Sequence, residues 1–137
     1  MENPLDQIIA SAKANPRHIV MAEGEDPRII SGSRKAMESG VARITLVGDP
    51  AVISKHAEYI DDIAIIDPRN SSLTEEFGKR FFELRKHKGI DESEAKKAVL
   101  DPLVFAAMLV RENHADGTVA GAINTTAATV RAALRLP

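Results

Sequence analysis

The chain of 137 residues contains no cysteine and no tryptophan. Without cysteine it forms no disulfide, offers no thiol nucleophile and holds no metal through thiolate. Long apolar runs are also missing. Nothing approaches the roughly 20 residues that span a bilayer. The opening Met1-Glu2-Asn3-Pro4-Leu5-Asp6 has neither the basic nor the apolar stretch of a signal peptide. It reads as a free N-terminus, and a cytoplasmic location is expected. Nor is positive charge in excess. Eighteen Lys and Arg against 20 Asp and Glu leave a net charge of -2, which argues against a broad nucleic-acid footprint. His18, His56, His87 and His114 are scattered, with no pair at one-face helical spacing, so no metal site is expected.

Hydrophobic residues make up 44% and charged residues 28%, enough for one globular core. Helix and strand patterns alternate. Asn3 caps a helix from Pro4, with Leu5, Ile8, Ile9 and Ala12 as its apolar stripe. A strand follows at residues 18–22, nearly continuous in apolar residues, as in a sheet covered on both faces. Asp26-Pro27 opens a second helix, capped at its end by Gly40. Residues 42–47 form a second strand. Residues 51–59 read as a helix with Val52, Ile53 and Ala57 inward, and residues 63–66 as a third strand. Ser72 to Glu75 has the spacing of a capping box, starting a helix with Leu73, Phe77, Phe81 and Leu84 on one face. Helices at 91–100 and 102–112 come next. A buried strand from Gly117 then runs through a polar turn into a last helix at 127–136. This order predicts one α/β domain with a mainly parallel sheet and right-handed crossovers.

Three stretches carry chemistry. The first is Glu23-Gly24-Glu25-Asp26-Pro27-Arg28, after the first strand, where open α/β sheets place ligands. With one Gly and three carboxylates it is neither a dinucleotide fingerprint nor a P-loop. Its acids either complement the dipole of the following helix or shape the mouth of a site. The second is Arg85-Lys86-His87-Lys88-Gly89 at a helix C-terminus, where cations suit the dipole. Arg85 follows Phe77 and Phe81 at four-residue steps and so borders the buried face. It points either at a structural carboxylate or at an anionic ligand. The third is Asn124-Thr125-Thr126 with Arg131. This is either a threonine cap beside an exposed arginine, or an anion site in which the guanidinium reaches back over the first turn.

Taken together, these stretches resemble the phosphate acetyltransferase (phosphotransacetylase) family. Asn3-Pro4-Leu5, Ala12 to Pro16, Glu23 to Arg28, Leu46-Val47-Gly48, Ile66-Asp67-Pro68, Glu83 to Gly89, Asp101-Pro102-Leu103 and Ala115 through Arg131 carry the likeness, in order, over the whole chain. The resemblance implies a three-layer α/β/α fold like that of the isocitrate and isopropylmalate dehydrogenases. It implies that residues 1–137 are the incomplete N-terminal domain of a two-domain enzyme. The implied reaction is reversible acetyl transfer between acetyl phosphate and coenzyme A, with this chain supplying one half of the cleft. Arg85, Arg131, Asn124, Thr125 and Thr126 are the implied substrate and coenzyme contacts. The catalytic serine and aspartate are expected on sequence beyond this chain. Coenzyme A is implied as substrate, with no tightly bound cofactor, no nucleic-acid or membrane partner, and a homo-oligomer. The sequence departs from the family where Ala22 replaces the usual Pro, where Asn124 stands in place of a frequent His, and where Ala128 replaces an Asp. The alternative is a non-catalytic acyl-coenzyme-binding, regulatory or dimerisation module, like the phosphotransacetylase-like domain of malic enzymes.

Overall fold

The structure, a computed structural model, describes residues 3–123 and 126–134. Asx-Pro pairs punctuate it. Asn3, Asp26, Asp49, Asp67 and Asp101 each precede a proline that opens a helix or a short 3₁₀ turn. In each, the side-chain oxygen accepts a backbone N–H two or three residues on, and proline fills the position whose N–H has no helical partner.

In chain order the elements are α1 (Pro4–Ala14), β1 (Arg17–Met21), α2 (Pro27–Ser39), β2 (Ala42–Val47), α3 (Pro50–Ile53) and β3 (Ala64–Ile66). They continue with α4 (Thr74–Arg85), α5 (Glu92–Ala98), α6 (Pro102–Arg111), β4 (Gly117–Val119) and α7 (Thr126–Leu134). The four strands form one sheet in the order β3-β2-β1-β4, and every pairing is parallel. Side chains alternate across β2. Ile44 and Leu46 pack with Ile30, Ile53 and Ile63 on one face. Val47 and Val20 pack with Phe77, Phe81, Phe105 and Met108 on the other. Helices thus cover both faces, giving the expected three layers. The Phe77 and Phe105 rings meet at a centroid distance of 5.1 Å, tilted by 54°. Among the described residues no helix is long and apolar enough to cross a membrane, and no group of three or more His, Asp and Glu could hold a metal ion.

Four expectations need correction. The third helix stops at Ile53 rather than running to residue 59. Beyond it the His56 ring accepts the Glu58 N–H at 3.1 Å, and the Tyr59 hydroxyl donates to Ile63 O at 3.0 Å. These local bonds compete with a helical ladder and steer the chain into β3. Val52, within α3, and Ala57, beyond it, are both exposed, and only Ile53 of the expected trio is buried. The capping box forms at Asp91 and Glu94, not at Ser72. The cap position of α4 is Leu73, whose N–H bonds Ser71 Oγ, while Thr74 Oγ1 donates to Pro68 O. Strand β4 is not buried: Thr118 is exposed and Val119 is 50% exposed, because β4 is an edge strand with an uncovered side. Finally, α1 forms as predicted but buries none of its residues, so its stripe of Leu5 and Ile8 faces solvent.

Candidate functional site

From β1 the chain steps one way to β2 and β3, and β4 then lands on the opposite side of β1. The carboxyl ends of β1 and β4 therefore flank a topological switch point, the usual ligand crevice of an open parallel sheet. Two loops meet there: residues 22–26 after β1 and residues 120–123 after β4.

The meeting is made by charge. Glu23 is 5% exposed, and its Oε1 accepts the N–H groups of Gly121 at 2.6 Å and Ala122 at 2.7 Å. Its Oε2 accepts the Ile123 N–H at 2.6 Å. Gly121 has φ of 113°, in the region that favours glycine, which helps successive N–H groups turn toward one anion. Glu25 Oε2 accepts the Asp49 N–H at 2.9 Å and so ties the same loop to the end of β2. Asp26 caps α2 and also pairs with Arg28 through both carboxylate oxygens, at 3.1 Å from Nε and 2.7 Å from Nη2. The Arg28 guanidinium and backbone N–H hold the Asp26 carboxyl down at about 2, and Asp26 in turn raises the pKa of Arg28. Arg28 Nη2 also donates to Ala122 O at 2.8 Å.

Asp26 serves its helix, while Glu23 and Glu25 bind neighbouring loops. Gly24 is required by this packing: a Cβ there would lie 2.7 Å from Val47 O and 2.8 Å from Leu46 Cβ. Ala22, where the resembled family usually has proline, donates its N–H to Val119 O at 3.2 Å. Proline has no N–H to give.

The residues expected to take an anion are distributed as follows. Arg85 ends α4, half-buried, at the side of a cleft of about 210 Å³ shared with Phe81, Lys88, Gly89, Ile90 and Glu94. Among the described residues no ion pair engages it. Arg131 lies in α7 and is exposed. Helix α6 packs against both α4 and α7. Thr126 is the first residue of α7. Asn124 and Thr125 lie outside the described residues. The larger cleft, about 550 Å³ between α4 and α5, is lined by Glu76, Glu83, Glu92 and Glu112 against Lys79, Arg80 and Lys96. Its balance of charge disfavours an anion, so the smaller cleft beside Arg85 is the better candidate.

The role of Glu23 was not read from the sequence. Residues 117–126 read there as a buried strand running into a polar turn, with N–H groups at the helix start open to an outside anion. In the structure the N–H groups of residues 121–123 are already satisfied from within. The available signal was three carboxylates placed where backbone donors gather.

Comparison with known proteins agrees with this architecture. Residues 4–136 match the model of the phosphate acetyl/butaryl transferase family. The chain is 39% identical over 134 residues to the phosphate acetyltransferase of Acetivibrio thermocellus, covering 96% of this chain and 40% of that protein. It is 41% identical over 133 residues to the phosphate acetyltransferase of Paracoccus denitrificans, covering 97% and 39% respectively. Among solved structures, the EutD phosphotransacetylase of Staphylococcus aureus superposes with a TM-score of 0.87 at 29% identity, over 98% of this chain and 43% of that one. A phosphotransacetylase of Streptococcus pyogenes gives a TM-score of 0.83 at 26% identity, over the same shares. The chain spans about two fifths of the length of these two curated relatives, and about a fifth of the phosphate acetyltransferase of Haemophilus influenzae.

Proposed function

From the premise that the chain belongs to the phosphate acetyl/butaryl transferase family, we propose that it supplies one half of an active-site cleft for reversible acetyl transfer between acetyl phosphate and coenzyme A. In that reaction the coenzyme thiol attacks the acetyl carbonyl carbon, and the carbon–oxygen bond to phosphate breaks. The products are a thioester and inorganic phosphate. The observation that carries the reading is the place of α7. It follows β4 at the switch point, where ligands of such sheets gather, and it bears Arg131 within two turns of its start.

In this reading Arg131, Thr126, Thr125 and Asn124 form the anion contacts of the β4–α7 turn, and Arg85 provides a second cation. Guanidinium groups suit phosphate because their fork gives two charge-assisted hydrogen bonds to one anion. Acyl transfer further needs a group that deprotonates the thiol and donors that polarise the carbonyl. Those groups belong to sequence outside residues 1–137, which form an incomplete N-terminal domain. Coenzyme A acts as a substrate rather than a resident cofactor. The setting is cytoplasmic and the assembly a homo-oligomer.

The test is a titration of the purified chain with coenzyme A and with inorganic phosphate, beside an assay of thioester formation from acetyl phosphate. The expected result is binding without turnover. Arg85→Ala and Arg131→Ala should each weaken binding about ten- to a hundredfold, matching the loss of one charge-assisted contact of about 1.5–3 kcal/mol. Unchanged binding in both variants would remove the assignment.

A further inference from the structure

We propose that Glu23 is a positioning residue: an internal anion that fixes the β4–α7 turn and so decides where an outside anion can bind. The inference rests on the cleft reading given above. Its physical basis is the grip on Ala122. That residue is held from one side by its N–H, donated to Glu23 Oε1 at 2.7 Å, and from the other by its carbonyl, which accepts from Arg28 Nη2 at 2.8 Å. Gly121 and Ile123 on either side donate to the same carboxylate, each at 2.6 Å. The loop that carries Glu23 is itself fixed, by the Gly24 N–H on Val47 O at 3.1 Å and by Glu25 on the Asp49 N–H. Four residues after Ala122, α7 begins.

The consequence is one of placement. With the N–H groups of residues 121–123 occupied, a phosphate finds its donors further along, at the start of α7 and on Arg131. A carboxylate suits this task because it only accepts. Glutamine has nearly the same shape but must turn an NH₂ donor toward at least one of the three N–H groups. Aspartate keeps the charge and shortens the reach by one methylene.

The experiment uses the ¹⁵N,¹³C-labelled chain. In the wild type, scalar couplings should cross from the amides of Gly121, Ala122 and Ile123 to the Glu23 carboxylate carbon, a readout that needs no variant. In Glu23→Gln at least one of these amides should exchange with solvent tenfold faster or more, while the rest of the spectrum keeps its dispersion. Inorganic phosphate and coenzyme A should bind about ten- to a hundredfold more weakly, the scale of a contact displaced by about an ångström. Glu23→Asp should lose binding in the same way. Absent couplings in the wild type would overturn the inference, even if the Gln variant failed to fold. Unaltered exchange in Glu23→Gln would overturn it, as would freed amides with unchanged anion binding. Full binding by Glu23→Asp would also overturn it, since charge and not placement would then be at work. A wild-type chain that binds neither probe would remove the cleft reading, while the couplings and the exchange rates still decide whether Glu23 fixes the turn.

Discussion

The two sides of the sheet are held by different forces. At β2 all of residues 44–47 are buried, and helices press on both faces. At β4 the strand is three residues long, two of them exposed; Thr118 Oγ1 donates to Val20 O of β1, and the loop beyond β4 is held by hydrogen bonds to Glu23. The central side is an apolar core whose stability scales with buried area. The switch-point side is a polar clasp whose geometry is set by a few directional bonds. A site that must present donors to an anion cannot be lined with Val and Leu, so hydrogen bonds replace packing there. The contrast predicts that damage to the centre shows as lost stability, and damage to the edge as lost placement.

The largest effect should come from the centre. Phe105→Ala, at a fully buried ring against Phe77, should cost about 3–5 kcal/mol in denaturant unfolding. A cost below about 1 kcal/mol would show that this face is not a packed core. Next comes Gly24→Ala, where the added methyl meets Val47 O and Leu46 Cβ. Overpacking of this kind costs about 1–3 kcal/mol, and here it should also loosen the Glu23 clasp, visible as faster exchange at residues 121–123. Asp91→Ala breaks the capping box of α5 and should cost about 1 kcal/mol. Ser72→Ala, at the sequence's apparent capping box, should change stability by less than about 0.5 kcal/mol. Val119→Thr on the exposed edge should be equally mild, and a large loss there would mean that β4 is covered in solution.

Acid separates the two sides in another way. The Asp26 carboxyl sits at about 2 when folded, below its ordinary value of 3.8. A group depressed on folding adds stability above its unfolded value and loses that stability as pH falls through the folded one. The Asp26 contribution should therefore be complete above pH 4 and fade toward pH 2. Unfolding of the wild type across this window should be steeper in pH than that of Asp26→Asn. Equal slopes would contradict the pairing with Arg28.

The parallel sheet, both helical layers and the Asx-Pro helix starts were legible because each has a local signature: apolar runs, 3.6-residue stripes, and a capping side chain before proline. The early end of α3 was not, because the local bonds of His56 to Glu58 and of Tyr59 to Ile63 compete with the helix through side chains, which an apolar periodicity does not report. The exposure of β4 was hidden for a related reason, since an apolar strand reads the same whether or not a neighbour covers it. For the site, Arg85 and Arg131 stand out by residue type and spacing. The Glu23 clasp joins residues about 100 positions apart, and no periodicity reports a contact of that range.

The most direct test of the half-site is to titrate the ¹⁵N-labelled chain with coenzyme A and follow every backbone amide. Shifts are expected around Arg85 at the end of α4 and around the β4–α7 turn with Arg131, with no thioester formed when acetyl phosphate is added. Shifts confined to the cleft between α4 and α5, around Lys79, Phe82 and Lys96, would contradict the half-site.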